Sequence, residues 1–305
     1  MNAFEEGSQP FVSIITLNYN QAGVTAEFLE SCKMLLYKNF EILVCDMASG
    51  QDPSAIFSQS GYPNTKLLIS KKNLGFAGGN NWGMRMAKGE YFFIVNNDTE
   101  LTPDIIQVML RPFLQDVQIG VVCPKIIYFY DPGYIQYAGF RPMNPFTGRT
   151  SAIGNREPDN GQYDVSGVTY GAHGCAMMVK KEVIIKTGMF PEKFFLYYEE
   201  WDWSARIQKA GYLIWYEAKA TVFHKESMTI GRANPLKSYF LTRNRILYMR
   251  RNSNFFHLFV FGLFFGLFTL PKTVFNFLLN RQFTSLKWFL KAIGYNLTHN
   301  SKSVV

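Results

Sequence analysis

Four short segments of this 305-residue chain carry side chains whose types and spacing could do chemistry. Asn96-Asn97-Asp98 follows an apolar run, and a carboxylate at a strand end can hold a hard divalent cation through oxygen. One acid is a sparse Mg2+ or Mn2+ site, and an Asx turn closing the strand explains the same residues. Asn97-Asp98-Thr99 also reads as a glycosylation sequon, idle without a secretory signal. Asn73-Leu-Gly-Phe-Ala-Gly-Gly-Asn-Asn-Trp-Gly83 places glycines before a helix, where free backbone N–H groups can cradle phosphate. The spacing is not G-x-G-x-x-G and the segment follows the third strand pattern, which argues against a dinucleotide site of the Rossmann type. Close packing of the helix start is the other use of such glycines.

In Phe194-Phe-Leu-Tyr-Tyr-Glu-Glu-Trp-Asp-Trp-Ser-Ala-Arg206, three acids open a helix, where its dipole favours negative charge. Glu199, Asp202 and Arg206 share one face. The chemical reading is a general base that activates a hydroxyl, with aromatic neighbours that exclude water and stack on a sugar. The plain reading is capping plus an Asp202–Arg206 ion pair. The fourth segment ends on His224. A lone histidine at a strand end is structural unless it faces Asp98.

These residues need elements to position them. Phe11–Leu17, Phe40–Asp46, Lys66–Ser70, Tyr91–Val95 and Gly120–Cys123 read as short buried strands. Helical stretches from about Ala22 to Leu36 and from Gly78 to Lys88 alternate with them. So does one to about Gln115, opened by Thr102 as N-cap and Pro103 at its first position. The alternation predicts a mostly parallel, doubly wound α/β sheet, whose ligands bind beyond the carboxyl ends of the strands. Asn18, Asp46, Asn73 and Asp98 lie at or just past such ends. Tyr128–Val168 reads as a long, partly irregular segment. A strand at Cys175–Lys180, a helix ending at Gly188 and a helix at Glu199–Ala210 follow. Short strands at Leu213–Tyr216 and Thr221–His224 close the series.

Composition narrows the classes. At 48% hydrophobic and 18% charged residues the chain can bury a core, which excludes a disordered protein. Cys32, Cys45, Cys123 and Cys175 form no C-x-x-C pair, so neither a zinc site nor a disulfide framework is expected, and a reducing compartment fits. The acidic start, Met1 to Glu6, has no apolar signal region. Charge is uneven: residues 1–231 carry 20 basic and 23 acidic side chains, and the last 74 carry 11 basic and none acidic. The same tail holds an apolar run of 16 residues, Phe255 to Leu270, closed by Pro271 and Lys272. Nucleic acid would explain the cluster Arg243, Arg245, Arg250 and Arg251 but not the phenylalanines. The run is shorter than the ~20 residues a span needs. It reads as a helix lying in an anionic membrane interface, with a core helix of an accessory subdomain as the alternative.

Taken in order, these segments resemble the family 2 glycosyltransferases of GT-A fold, and most of all their bacterial rhamnosyltransferase branch. The residues that carry the resemblance are Val12 to Asn20, Asp46, Asn73 to Asn80, Asn96 to Thr99, Gly188 to Phe195, Tyr198 to Trp203, Gly211-Tyr212 and His224. They span about residues 11–251. The resemblance implies a GT-A domain over 1–231, with a nucleotide-binding half to about 125 and an acceptor half beyond it. Residues 232–305 would be a helical, membrane-associated tail. It implies nucleotide contacts from Thr16, Asn18, Asp46, Asn73, Gly79, Asn80 and Asn96, with Asp46 on the base. It places a divalent metal, Mg2+ or Mn2+, at Asp98, with His224 completing the shell. Asn96 stands where the family's first metal-motif acid usually is, and Met47 replaces the usual Asn. Glu200 matches the family's catalytic base but replaces an aspartate, which leaves Glu199 and Asp202 open for that role. No Gln-x-x-Arg-Trp of processive synthases is present.

The expected activity is inverting, metal-dependent transfer of a sugar from a nucleotide donor, dTDP-L-rhamnose on the branch resemblance. The expected acceptor is a glycan or lipid-linked glycan at the cytoplasmic membrane face, without nucleic acid. Two alternatives are an inactive nucleotide-sugar binder and a membrane-surface or nucleic-acid-binding protein that uses the α/β domain as a scaffold.

Overall fold

The computed structural model describes residues 9–58, 61–62, 64–226 and 234–303. The acidic start and the boundary near residue 231 lie outside them. The elements in chain order begin with β1 (Val12–Asn18), α1 (Ala22–Lys33), β2 (Phe40–Asp46), α2 (Ser54–Ser58), β3 (Thr65–Ile69), α3 (Gly75–Met86) and β4 (Tyr91–Val95). Next come β5 (Thr99–Leu101), α4 (Ile105–Gln115), β6 (Ile119–Tyr128), β7 (Tyr134–Tyr137), β8 (Glu157–Pro158), β9 (Gly167–Thr169) and β10 (Ala176–Lys180). The chain ends with α5 (Lys181–Thr187), α6 (Glu199–Lys209), β11 (Leu213–His224), α7 (Pro235–Asn252), α8 (Phe255–Phe264), α9 (Leu270–Leu279) and α10 (Phe283–Thr298).

One mixed sheet runs β3-β2-β1-β4-β10-β6-β11-β5. β3, β2, β1 and β4 are all parallel, as is the long pairing of β6 with β11. β10 enters antiparallel between β4 and β6. The strands are apolar without alternation because both faces are covered; every residue of β2 is buried. β1 has β2 on one side and β4 on the other, so the strand order reverses there. In open α/β sheets the crevice beyond such a switch point takes ligands.

Several elements differ from the expected ones. α4 starts at Ile105, and Thr102 and Pro103 form the turn before it, with the Ile105 amide on the Thr102 carbonyl at 3.2 Å. α3 starts at Gly75, three residues early. The two short strands near the end of the sheet are one, β11, with a register shift between Glu217 and Thr221. A bulge of that kind hides a strand from a period-two reading. Within the Tyr128–Val168 segment, β7, β8 and β9 add to the sheet. The buried Lys125 ties that segment down through Asp159, at 3.0 Å, and Asp164.

The tail departs furthest from expectation. Its clustered arginines bond within the protein. Arg243 is buried and donates to the carbonyls of Lys193 and Phe194 at 2.8 and 2.6 Å. Arg250 bonds Asn296 and the His299 carbonyl, and Arg251 bonds Asp202. Phe261, Phe265 and Phe289 join Phe194, Trp201, Leu247, Tyr248 and Met249 in a second apolar core. The tail is therefore part of the packing of α6. Nor does Pro271 end the apolar helix. α8, a π-helical turn at Phe265–Thr269 and α9 form one helical stretch, Phe255–Leu279, of 25 residues and mean hydropathy 1.8. The wide turn sits just before Pro271, where the missing N–H and the ring would disrupt a regular ladder. At 1.5 Å per residue it is about 37 Å long, so length alone does not exclude a span.

Candidate active site

At the switch point, Asn18 ends β1 beside Asp46 at the end of β2. Asn18 Nδ2 donates to Asp46 Oδ2 at 2.6 Å, and Asn18 Oδ1 accepts from Thr25 Oγ1 at 2.9 Å. The Ser49 amide and hydroxyl also donate to the Asp46 carboxylate. Both side chains are buried, so this network fixes the rim of the crevice. Thr16 lies two residues back on the same strand face, and its buried Oγ1 has no partner. Asn73 Oδ1 caps the Gly75 amide at 2.8 Å.

The glycine-rich segment does packing. Gly75 has φ +70°, and a Cβ there would lie 2.5 Å from the Phe195 carbonyl oxygen. A Cβ on Gly79 would meet Met47 Sδ at 2.8 Å and Leu17 Cδ2 at 3.0 Å. Gly79 is thus turned to the sheet and its backbone sits inside α3, so the structure gives it no phosphate-facing amide. Asn80 is buried, and its Nδ2 donates to the Phe76 carbonyl of its own helix at 2.9 Å. Asn81 clamps the Phe190 backbone in both directions.

Asp98 and His224 meet through the ladder of β5 with β11, in which His224 stands opposite Thr99. The Lys225 amide donates to the Asp98 carbonyl at 2.8 Å. His224 Nε2 lies 3.2 Å from Asp98 Oδ1, within ion-pair distance, and neither atom has a well-aligned hydrogen bond among the described residues. His224 Nδ1 lies 2.7 Å from Gln136 Oε1. An amide oxygen only accepts, so Nδ1 carries a proton; a protonated ring pairs its Nε2–H with the carboxylate, and a neutral one turns its Nε2 lone pair there. Burial works against charge on His224, but Cys175 and Asp98 outweigh it and raise its pKa well above the ordinary value. Among the described residues no three His, Cys, Asp or Glu side chains form a metal cluster. Asn96, half-buried in the same turn, anchors it by donating its backbone N–H to the Cys175 carbonyl at 2.8 Å. A cleft of about 350 Å³ beside His224 is lined by Tyr128, Phe129, Tyr130, Tyr134, Arg156 and Lys225.

The acids of α6 follow a constrained backbone. Phe195, Tyr197 and Tyr198 have φ of 65°, 70° and 71°, a sparsely populated region for side chains of this size. Asn244 of α7 holds the segment by donating Nδ2 to the carbonyls of Phe194, Leu196 and Tyr197. Burial raises the pKa of both Glu199 and Glu200, and the Glu200 charge pushes Glu199 up further. Oε2 of each lacks a partner. Asp202 differs. It is 1% exposed, and its carboxylate accepts from Arg251, Arg206 and Asn252. A base needs a lone pair open to its substrate, and Asp202 offers none, which corrects its place among the candidate bases.

Among the described residues six buried side-chain atoms lack a hydrogen-bond partner: Thr16 Oγ1, Asp98 Oδ1, Glu199 Oε2, Glu200 Oε2, His224 Nε2 and Arg245 Nη2. Buried polar groups are nearly always satisfied, so such atoms mark places that a ligand, an ion or an ordered water would complete. Five of the six belong to residues singled out by sequence. Arg245 stands out there only as part of the basic cluster, and Gln136 and Asn244 do not stand out, because a single polar residue on a distant strand or helix gives no local pattern.

The family profile described as Glycosyl transferase family 2 matches residues 13–187. An N-acetylglucosaminyl-diphospho-decaprenol L-rhamnosyltransferase of Mycobacterium tuberculosis is 24% identical over 245 residues, 72% of this chain and 77% of that protein. A mannosyltransferase of Pyrobaculum calidifontis, solved with GDP-Man and Mn2+, superposes with a TM-score of 0.59 at 16% identity, covering 96% of this chain and 88% of that one. GalNAc-T7 with UDP, GalNAc and Mn2+ gives 0.63 at 13% identity over 78% and 48% of the two chains. These likenesses identify the GT-A fold.

Proposed function

The chain belongs to glycosyl transferase family 2, and from that premise we propose an inverting, metal-dependent transferase that moves a sugar from a nucleotide donor to a hydroxyl of a lipid-linked glycan. The observation that carries the proposal is the pairing of two unsatisfied sets, Asp98 with His224 and Glu199 with Glu200, in a protein whose fold binds donors at strand ends. The rhamnosyltransferase likeness favours dTDP-L-rhamnose as donor and a diphospho-polyprenol glycan as acceptor.

Asp98 Oδ1 and His224 Nε2 fit two ligands of one divalent cation. Both side chains are buried 3.2 Å apart, and a carboxylate oxygen beside an imidazole nitrogen is a donor set that would hold such a cation. When bound, Mg2+ or Mn2+ would neutralise charge on the departing nucleoside diphosphate. Gln136 holds the His224 ring in the tautomer this needs. Thr16, Asn18, Asp46, Asn73 and Asn96 would line the donor nucleotide side. Glu200, with a raised pKa and a free oxygen, takes the proton of the acceptor hydroxyl. The acceptor's hydroxyl oxygen bonds to the anomeric carbon as the bond to the diphosphate breaks, which inverts the centre. Asp202 positions α6 against the tail.

The outward side of α8 and α9 exposes Phe255, Phe256, Phe259, Leu267, Phe268 and Leu279. With Lys272, Arg281, Lys287 and Lys291 nearby in sequence, this face suits the interface of an anionic cytoplasmic leaflet. The test of the whole reading is protection of the purified protein from thermal unfolding by a panel of nucleotide sugars, with and without Mn2+, followed by transfer to a diphospho-polyprenol glycan. Protection by none of the donors would sink it.

A further inference from the structure

Among the described residues, Arg245 is the one side chain with an unsatisfied buried atom outside the site just described. It is 6% exposed, its Nε donates to the Thr147 carbonyl at 2.7 Å, and its Nη2 is buried without a partner. Its guanidinium lies over the rings of Phe261 and Phe265, at 5.5 and 5.8 Å. No carboxylate pairs with it among the described residues. Two residues beyond the Thr147 carbonyl that it holds is a second cation, Arg149, which is exposed, has no ion pair among the described residues and opposes the charge on Arg245. Two arginines without an acid between them form a site for an anion.

The turn that carries Arg149 is built to hold it in place. Asn144 Oδ1 accepts from the amides of Phe146 and Thr147. Gly148 has φ +59°, and a Cβ there would lie 2.9 Å from Met249 Cγ, so the turn is pressed onto α7. Its two sides face different chemistry. Tyr198 donates its hydroxyl to the Gly148 carbonyl at 2.9 Å, and Tyr198 directly precedes Glu199 and Glu200. Phe146 meets His257 at 5.2 Å and Phe256 at 6.4 Å, at the start of the exposed apolar helix.

We infer that Arg149 and Arg245 bind the diphosphate of a lipid-linked acceptor, between the sugar that reaches Glu200 and the lipid chain that lies along α8. The inference rests on the proposed acceptor class and adds the residues that select it. The order along the molecule, from base to arginine pair to phenylalanine face, matches the order sugar, diphosphate, polyprenyl chain. Planar guanidinium groups suit phosphate oxygens, and burial of Arg245 against rings strengthens its bonds by excluding water.

The test uses the full chain and flotation with three kinds of vesicle: phosphatidylcholine alone, the same with phosphatidylglycerol, and the same with undecaprenyl diphosphate. The undecaprenyl diphosphate vesicles should bind the wild type more tightly than the other two. Arg149→Gln and Arg245→Lys should each weaken that binding about tenfold or more, and raise KM for a diphospho-polyprenol glycan more than they lower kcat. Arg149 is exposed, so its substitution carries the test even where Arg245→Lys disturbs folding. Equal binding to phosphatidylglycerol would overturn the assignment in favour of a general headgroup site. Unchanged binding by Arg149→Gln would overturn it outright. Protection of the wild type by nucleotide sugars is read separately, so failure of the donor reading and failure of this site are distinguishable.

Discussion

Arg251 of the tail grips Asp202 of α6 by two contacts, Nε to Oδ2 at 2.7 Å and Nη2 to Oδ1 at 3.2 Å. Asn252 Nδ2 adds a third at 2.9 Å. The carboxylate is almost wholly buried, so removing its charge leaves two guanidinium groups without their anion. Asp202→Asn should destabilise the fold by about 3–5 kcal/mol, the usual effect of breaking a buried pair. The measurement is urea unfolding beside Glu200→Gln, which should be near wild type in stability. A fall of under about 1 kcal/mol would show that the pair is not structural. By the same contacts, a chain cut at Ser253 loses Phe261, Phe265 and Phe289 from the second core and should not fold as a soluble protein.

Glu200→Gln should keep donor binding and lose turnover by about 10²–10⁴-fold, the range for a general base. The pH dependence follows from the raised pKa. The ionised form is the active base, burial disfavours ionisation, and the rate therefore falls as pH drops through the raised value. The acid limb of kcat should lie well above the ordinary glutamate range near ~4.3. A loss below about tenfold with the raised limb retained would move the role to Glu199, whose pKa is also raised, and a limb at the ordinary value would remove both buried glutamates from it.

Much of this arrangement was legible in the sequence, for a physical reason. Runs such as Phe40–Asp46 and Tyr91–Val95 are buried on both faces, and their apolar continuity marks them as strands of a covered sheet with polar residues at their ends. Order along the chain then places Asn18, Asp46 and Asp98 at one edge. What could not be read locally depends on partners far apart in sequence. Arg243 and Arg251 look like surface charge until α7 is seen against Phe194 and Asp202. Gly79 looks like a phosphate cradle until Met47 and Leu17 are seen beneath it. Pro271 looks like a stop until the π-helical turn before it accommodates the ring.

Gln136 offers a test of the metal site that leaves both proposed ligands in place. Its Oε1 fixes the proton on His224 Nδ1. Gln136→Leu removes that acceptor, frees the ring to rotate or change tautomer, and should weaken Mn2+ affinity by about 10–100-fold, as loss of outer-shell partners does. Mn2+ binding can be followed by electron paramagnetic resonance in the presence of donor nucleotide, independently of turnover. Asp98→Ala should abolish Mn2+ binding altogether, and Asn96→Ala should weaken it less, since it removes a neutral oxygen. Full Mn2+ affinity in Asp98→Ala would remove the metal from this site.

The apolar helix Phe255–Leu279 is long enough to cross a bilayer, but its packing argues for lying on one. Phe261 and Phe265 are buried against Phe289 of α10, and α7 ties the same helices to the catalytic domain. A span would have to pull those rings out of the second core. The outward rings can enter the headgroup region as they stand, with Phe255 86% exposed. Replacing Phe255, Phe259 and Phe268 together by serine removes side chains worth roughly 1.5–3 kcal/mol each when fully buried. It should release the protein from anionic vesicles while leaving it folded, since none of the three is buried in the core. Lys272, Arg281, Lys287 and Lys291 add at most about 1 kcal/mol each near a charged surface, and that part is screened by salt. High salt should therefore weaken vesicle binding without abolishing it, and alkaline carbonate should strip the protein from membranes. Retention through both washes would mean that the helix leaves its partners and spans.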